Sequence, residues 1–311
     1  MDELFNQAYF ICDPDDQGEK VRACCVFHGV EVNEDFVVGP IKLRPLAEHD
    51  RFPENIRLDY QYSVLELKYI DRKGMSSIYV EPTWIQEAAF RSIQLLVNNW
   101  SGISLVYHFN QNNEQVGVSG SVHFQTADTD PPQQRGILEA TDDNKRMFKL
   151  IFVAVQGNLK HPIFRFSRGC TELKAESILD FVIALEATLG HGFETEIAHR
   201  LAARGAFLLG RDPSKREAYY QIFKTLYNIR SRIAHGAIPT GKVSEKFIEA
   251  VEELGYWRGD WSRQFDENKV RQLADVARQV TREVLIAFVK APALLNKDNL
   301  LKIELGLWSP T

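Results

Sequence analysis

The chain has only four cysteines in 311 residues, Cys12, Cys24, Cys25 and Cys170, and no two stand in C-x2-C spacing. That leaves no disulfide framework and no cysteine-based zinc cluster to build on. Cys24 and Cys25 adjoin in a strand-like run, so buried reduced thiols are expected. Reduced thiols imply a reducing compartment, read here as the cytoplasm. No apolar run nears the roughly 18 residues of a membrane span. The start, Met1-Asp2-Glu3-Leu4-Phe5, is acidic and lacks the basic and apolar regions of a signal peptide. There is no phosphate-binding loop, dinucleotide fingerprint or H-E-x-x-H helix. Gly117-Val118-Ser119-Gly120 lacks the spacing of a serine-hydrolase elbow, and His191 and His199 lack metal-ligand spacing. No cofactor and no metal are expected. Internal repeats and low-complexity tracts are also missing.

What remains is an ordinary globular composition, 44% hydrophobic and 25% charged, with enough apolar material for a sizeable core. The net charge of −5 hides an asymmetry. Residues 1–150 hold 14 Lys and Arg against 23 Asp and Glu, whereas residues 151–311 hold 23 against 19. If one half meets nucleic acid, it is the second.

The pattern also changes along the chain. Segments 23–30, 36–43, 63–70, 76–80, 103–109 and 116–124 are short, β-branched or aromatic, and bounded by turn residues, so they read as strands. One helix interrupts them, opened by Thr83-Trp84-Ile85-Gln86 as a capping box and carrying Ile85, Ala89, Ile93, Leu96 and Val97. Residues 126–134 are polar with two prolines and mark the boundary. Beyond it the period is helical: 141–155 (face Met147, Leu150, Ile151, Ala154), 172–189, 194–209, 215–235, 243–254 and 267–290. The expected fold is α+β: a β-rich domain over 1–130, then an all-α bundle over 131–311 with its core at 141–291. The tail 292–311, with Leu300, Ile303, Leu305, Leu307 and Trp308, packs back on the bundle or on a partner.

The densest chemistry lies in Leu226-Tyr227-Asn228-Ile229-Arg230-Ser231-Arg232-Ile233-Ala234-His235-Gly236. A permanent planar cation and a titrating imidazole stand five residues apart at the end of a helical run. This stretch resembles the R-x4-6-H signature of HEPN-domain ribonucleases, in the R-S-x-I-x-H-G form of the Apea-like HEPN family. Asp180-Phe181-Val182-Ile183-Ala184-Leu185-Glu186-Ala187 looks like that family's first helix, with its A-L-E. The run from Glu196 to Gly210, with Arg200, Arg204 and Phe207, looks like its second, and the run from Phe223 to Gly236 like its third. Leu43-Arg44-Pro45-Leu46 is similar to an L-R-P-L seen near the N-terminus of such proteins. The helical likeness covers about 120 residues. Two positions before the arginine the family often has Asp; here it is Asn228, polar but uncharged.

The resemblance implies a metal-independent endoribonuclease that works as a homodimer on RNA, structured RNA such as tRNA included. It implies a bacterial antiphage-defence or toxin-like setting, with the acidic first domain as sensor for a protein or ligand trigger. Arg230 and His235 would be catalytic, with Asn228 and Ser231 supporting them and Arg232 on the RNA backbone. Tyr256-Trp257-Arg258-Gly259-Asp260-Trp261-Ser262-Arg263 interleaves aromatics and arginines, so Trp257, Arg258, Trp261 and Arg263 are candidate RNA contacts. The same residues also have a plainer reading. His235 can cap the last carbonyls of a helix, Arg230 can be a surface charge, and the aromatic loop can be a buried anchor. The alternative function is a HEPN-type dimerisation or docking module that cuts nothing. Five helical residues turn through about 500°, so Arg230 and His235 point about 140° apart, and two chains are needed to bring both to one phosphate.

Overall fold

The computed structural model describes residues 19–28, 30–39, 41–45, 62–71, 81–97, 102–109, 115–119, 136–170, 175–190, 196–236, 243–257 and 267–307. The chain divides into two compact units, Met1–Gln156 and Gly157–Thr311. The fold is α+β, with a sheet-containing first unit and a helical second one.

In the first unit β1 (Glu19–His28), β3 (Phe36–Val38), β4 (Ile41–Pro45), β5 (Tyr62–Asp71), β6 (Gly102–Phe109) and β7 (Gln115–Ser119) form one sheet. Its order is β3-β4-β5-β1-β6-β7, and every pairing is antiparallel. β2 (Val30–Glu31) and β8 (Gly136–Ile137) form a separate parallel pair. The segment read as one strand over 36–43 is a hairpin. Gly39 takes a left-handed φ of 57° and turns the chain, so Val38 faces Ile41 across the pair. Ser63 through Glu66 and Leu67 are all buried, so β5 is covered on both faces rather than half-buried. The strand expected over 76–80 lies outside the described residues, as does 120–124 of the strand expected over 116–124.

Helix α1 (Glu81–Val97) buries Ala88, Ala89, Phe90, Ile93, Leu95 and Leu96. Helix α2 (Asp142–Gln156) belongs to this unit, which moves the division from residue 130 to 156. The reason is visible in its face. Phe148, Ile151, Phe152 and Val155 are buried, and Phe148 meets Phe36 of β3 edge-on at 5.7 Å. Of the face expected from sequence only Ile151 is buried; Met147, Leu150 and Ala154 are half-exposed.

The second unit holds α3 (Lys160–Gly169), α4 (Ala175–Leu189), α5 (Ile197–Leu209), α6 (Pro213–Ala234), α7 (Glu245–Glu253), α8 (Glu267–Lys290) and α9 (Lys297–Glu304). Helix α4 is central and packs against α3, α5, α6 and α8. Its Ile178, Phe181, Val182, Leu185 and Leu189 are buried at the helical spacing the sequence carries. Helices α5 and α6 approach closely because α5 offers Gly205. A Cβ there would lie 2.2 Å from the Phe223 ring of α6. The tail packs back: Leu294, Leu300 and Ile303 are buried, and Glu304 is held by Arg200 at 2.9 Å and by Arg204 at 3.2 Å. Arg204, 2% exposed, also donates to the Leu189 carbonyl at 2.6 Å. None of the helices among the described residues is long and apolar enough to cross a membrane.

Candidate active site

Helix α6 carries the candidate motif, and its ends are fixed by local chemistry. Asp212 caps the start by accepting from the Lys215 amide at 2.9 Å, and Pro213 occupies the first helical position. Tyr219, Phe223, Leu226 and Ile229 are buried and lock one face into the bundle. At the other end Gly236 adopts a left-handed φ of 75°, and its amide donates to the Ile233 carbonyl at 2.9 Å. A Cβ on Gly236 would meet nothing within 4 Å, so the glycine serves conformation and not space. His235 is therefore the C-cap, with φ −92° and ψ 13°, outside the regular helix.

The His235 side chain is exposed, and it makes no hydrogen bond or ion pair among the described residues. Capping the last carbonyls falls to its backbone, whose amide donates to the carbonyls of Arg232 at 3.2 Å and Ser231 at 3.3 Å.

Arg230 is placed quite differently. Its Nη2 donates to Oε2 of Glu186 on α4 at 3.1 Å, and the two side chains are 28% and 24% exposed. The contact is made by one nitrogen only, and Arg230 Nε is buried with no hydrogen-bond partner. Burial raises the Glu186 carboxyl above its ordinary value, and the charge and hydrogen bond of Arg230 oppose that rise. Arg230 is therefore not a free surface charge. Glu186 lies inside the run compared with the family's first helix, yet sequence reading assigned it no role. The signal lay in its spacing, three positions before the end of the helix at Leu189 and on the side that meets α6.

Asn228 and Arg232 are exposed on α6, and Ser231 is half-buried beside Arg230 in sequence. None of the three contacts Arg230 or His235 by a side-chain hydrogen bond among the described residues. Trp257 is half-buried directly after Tyr256, which is anchored inside the bundle. Tyr256 donates its hydroxyl to Glu283 Oε2 at 2.7 Å, and Tyr219 donates to the same oxygen at 2.9 Å. Burial with a carboxylate alongside pushes the Tyr219 hydroxyl up to about 12, and the Tyr256 hydroxyl upward as well. Arg258, Trp261 and Arg263 lie outside the described residues. Of the expected RNA-contact set, then, only Arg232 and Trp257 can be placed.

Among the described residues no group of three or more His, Cys, Asp or Glu side chains is gathered as a metal ion needs. No family model, no curated protein and no solved structure matches the chain.

Chemically, the end of α6 offers a cation held in place from a neighbouring helix and an exposed imidazole one turn further on. The first suits an anionic phosphoryl oxygen and the second a proton transfer.

Proposed function

We propose that the second unit is a HEPN-type endoribonuclease domain that cleaves RNA without a metal. The observation that carries this reading is the division of labour at the end of α6: Arg230 is held by Glu186, while His235 is exposed and has no side-chain partner among the described residues. An exposed imidazole at a helix end can meet a substrate, and a fixed arginine on the same helix supplies the charge such a substrate needs.

The reaction uses the substrate's own nucleophile. The ribose 2′-oxygen attacks the adjacent phosphorus and the bond to the 5′-oxygen breaks. In each site one His235 takes the 2′-hydroxyl proton and, as imidazolium, gives a proton to the leaving 5′-oxygen. Arg230 holds the non-bridging oxygens as their charge grows. The products are a 2′,3′-cyclic phosphate and a 5′-hydroxyl. DNA lacks the 2′-hydroxyl and is not cut. The helix end carries one histidine, and Arg230 and His235 diverge around the axis, so the working unit is a homodimer of this domain. The setting the resemblance implies is cytoplasmic RNA cleavage in bacterial defence or a toxin-like response, with the first unit as the sensor.

The test is incubation with total bacterial RNA, wild type against His235→Ala, with the cut ends mapped. Cyclic phosphate ends made by the wild type and lost in the variant support the reading. Equal cleavage by both, or 3′-hydroxyl ends, overturns it.

A second reading, a docking module without catalysis, draws on one observation. Phe207, Leu301, Leu305 and Leu307 are exposed apolar residues, and Phe207 lies against Gly306 beside the last three. Cleavage that survives in the wild type alone separates the two readings.

A further inference from the structure

Glu186 occupies a place that two effects disfavour. It stands in the last turn of α4, where its charge meets the negative end of the helix dipole. It is also three-quarters covered, and burial opposes its ionisation. Among the described residues Arg230 alone offsets these effects, through one nitrogen. The pair is poorly made for stability alone. An arginine and a carboxylate can join by two parallel hydrogen bonds, and this pair uses one while leaving Arg230 Nε buried and unsatisfied. A guanidinium has five N–H donors on a planar fork. Held by a single nitrogen, it keeps a further edge for a second anion.

We propose that Glu186 is a positioning residue for Arg230, holding one guanidinium nitrogen from α4 so that the Nη1–Nη2 end of the fork, and not the buried Nε, is presented to the phosphate being cleaved. This rests on the ribonuclease reading above. Glu186 touches no substrate atom. Its effect passes through Arg230: an arginine free to choose among its rotamers reaches the transition-state oxygens less often. The carboxylate charge also weakens ground-state binding of the phosphate, because it stands on the far side of the same guanidinium. Glutamine keeps the accepting oxygen and removes that charge. Alanine removes both.

The experiment compares wild type, Glu186→Gln, Glu186→Ala, Glu186→Asp and Arg230→Ala as full-length protein. Turnover is read on a mixed-sequence single-stranded RNA oligonucleotide bearing a fluorophore and a quencher. Binding is read by anisotropy with the same strand carrying 2′-deoxy sugars, which cannot be cut. Melting temperatures are measured alongside. Alanine should lower kcat by about 10-fold or more with KM changed by less than about 3-fold, since misplacement costs the chemical step. Glutamine should stay within about 3-fold of wild type in kcat and bind the deoxy strand more tightly. Aspartate, one methylene shorter, should fall between them. A purely structural pair gives another pattern: activity then follows melting temperature, and glutamine neither rescues kcat nor tightens binding. That pattern overturns the proposal, as does an alanine variant with wild-type kcat. Where Arg230→Ala is inactive and Glu186→Ala is normal, the Glu186 role alone falls. Where Arg230→Ala matches wild type, or wild type cuts nothing, the ribonuclease reading falls with it.

Discussion

Glu186 and Arg230 meet at 3.1 Å across the α4–α6 interface, while Asn228, two positions before the arginine, is exposed and makes no contact with it among the described residues. The anchor of the arginine is thus tertiary and not local. This separates the two members of the motif in their expected cost. His235→Ala removes an exposed ring and should leave stability within about 0.5 kcal/mol. Arg230→Ala leaves a three-quarters-covered carboxylate without its partner and should cost about 1–2 kcal/mol, between exposed and buried pairs. Both should lose about 10²-fold or more in cleavage rate. Chemical denaturation and RNA cleavage, run on the same preparations, check both halves.

The same pair predicts a pH dependence. Burial already raises the Glu186 carboxyl, and Arg230 is what holds the rise back. Without Arg230 the carboxyl rises further. A carboxyl whose folded pKa lies above its unfolded one binds its proton more tightly in the folded state. Its contribution is full below the unfolded value and fades as pH climbs through the folded one. Arg230→Ala should therefore be closest to wild type in stability at about pH 4–5 and fall behind it towards pH 7. Melting curves of both proteins across that window test this; a gap that is constant with pH contradicts it.

How much of this was legible in the sequence follows from the range of each interaction. The buried faces of α4, α6 and α8 could be read because they repeat every helical turn; Phe181, Leu185, Phe223, Leu226, Val280 and Val284 are all in the core. Arg230 and His235 could be read because they lie in one short run. Glu186 lies 44 residues from Arg230, so only packing reveals the pair. Helix α3 escaped notice because it is 10 residues long, carries Pro162 near its start and has Leu159, with no capping side chain, at its N-cap. The β3–β4 turn is signalled only by Gly39-Pro40, a turn pair set inside an otherwise apolar run that reads as one strand. The division at residue 156 differs from the boundary expected at 130 because Phe148 of α2, stacked on Phe152, meets Phe36 of β3, a pairing of residues more than 100 apart that no local pattern carries.

Cys170 should be chemically silent in the folded protein. It is fully buried, and burial pushes its thiol up to about 12, a rise that Asp275 adds to and Arg278 only partly opposes. Iodoacetamide at pH 8 should label it only after denaturation. Peptide mapping that finds Cys170 alkylated within minutes in the native state would show that α3 and α8 open readily there.

Gly205→Ala tests the packing that presents α6. The new methyl would stand 2.2 Å from Cε2 of Phe223, a ring with no exposed surface and no room to retreat. A loss of about 1–3 kcal/mol is expected, the usual cost of overpacking a core. Phe223→Leu combined with Gly205→Ala should recover part of it. If the glycine variant is as stable as wild type, α5 and α6 do not pack this closely.

The dimer prediction follows from where the two side chains are placed in one chain. Arg230 is drawn towards α4 by Glu186, and His235 stands exposed beyond the last turn, about 140° further round the helix axis for a regular helix. On that geometry one protomer would not offer both to a single phosphate, whereas a two-fold pairing of α6 ends would bring each arginine to the other chain's histidine. Complementation tests this without a structure of the dimer. Arg230→Ala chains keep their histidine and His235→Ala chains keep their arginine. A mixed dimer then contains one site lacking both groups and one site with both. Free exchange in an equal mixture makes about half of the dimers mixed, and each has one good site of two, so about a quarter of wild-type activity should return. The separate variants should stay inactive at the same total concentration. Recovery must also require exchange, so locking the chains as homodimers before mixing, by crosslinking, should abolish it. A protein that sediments as a monomer at the assay concentration and is fully active would mean that Arg230 and His235 of one chain suffice, and the two-chain site would be abandoned.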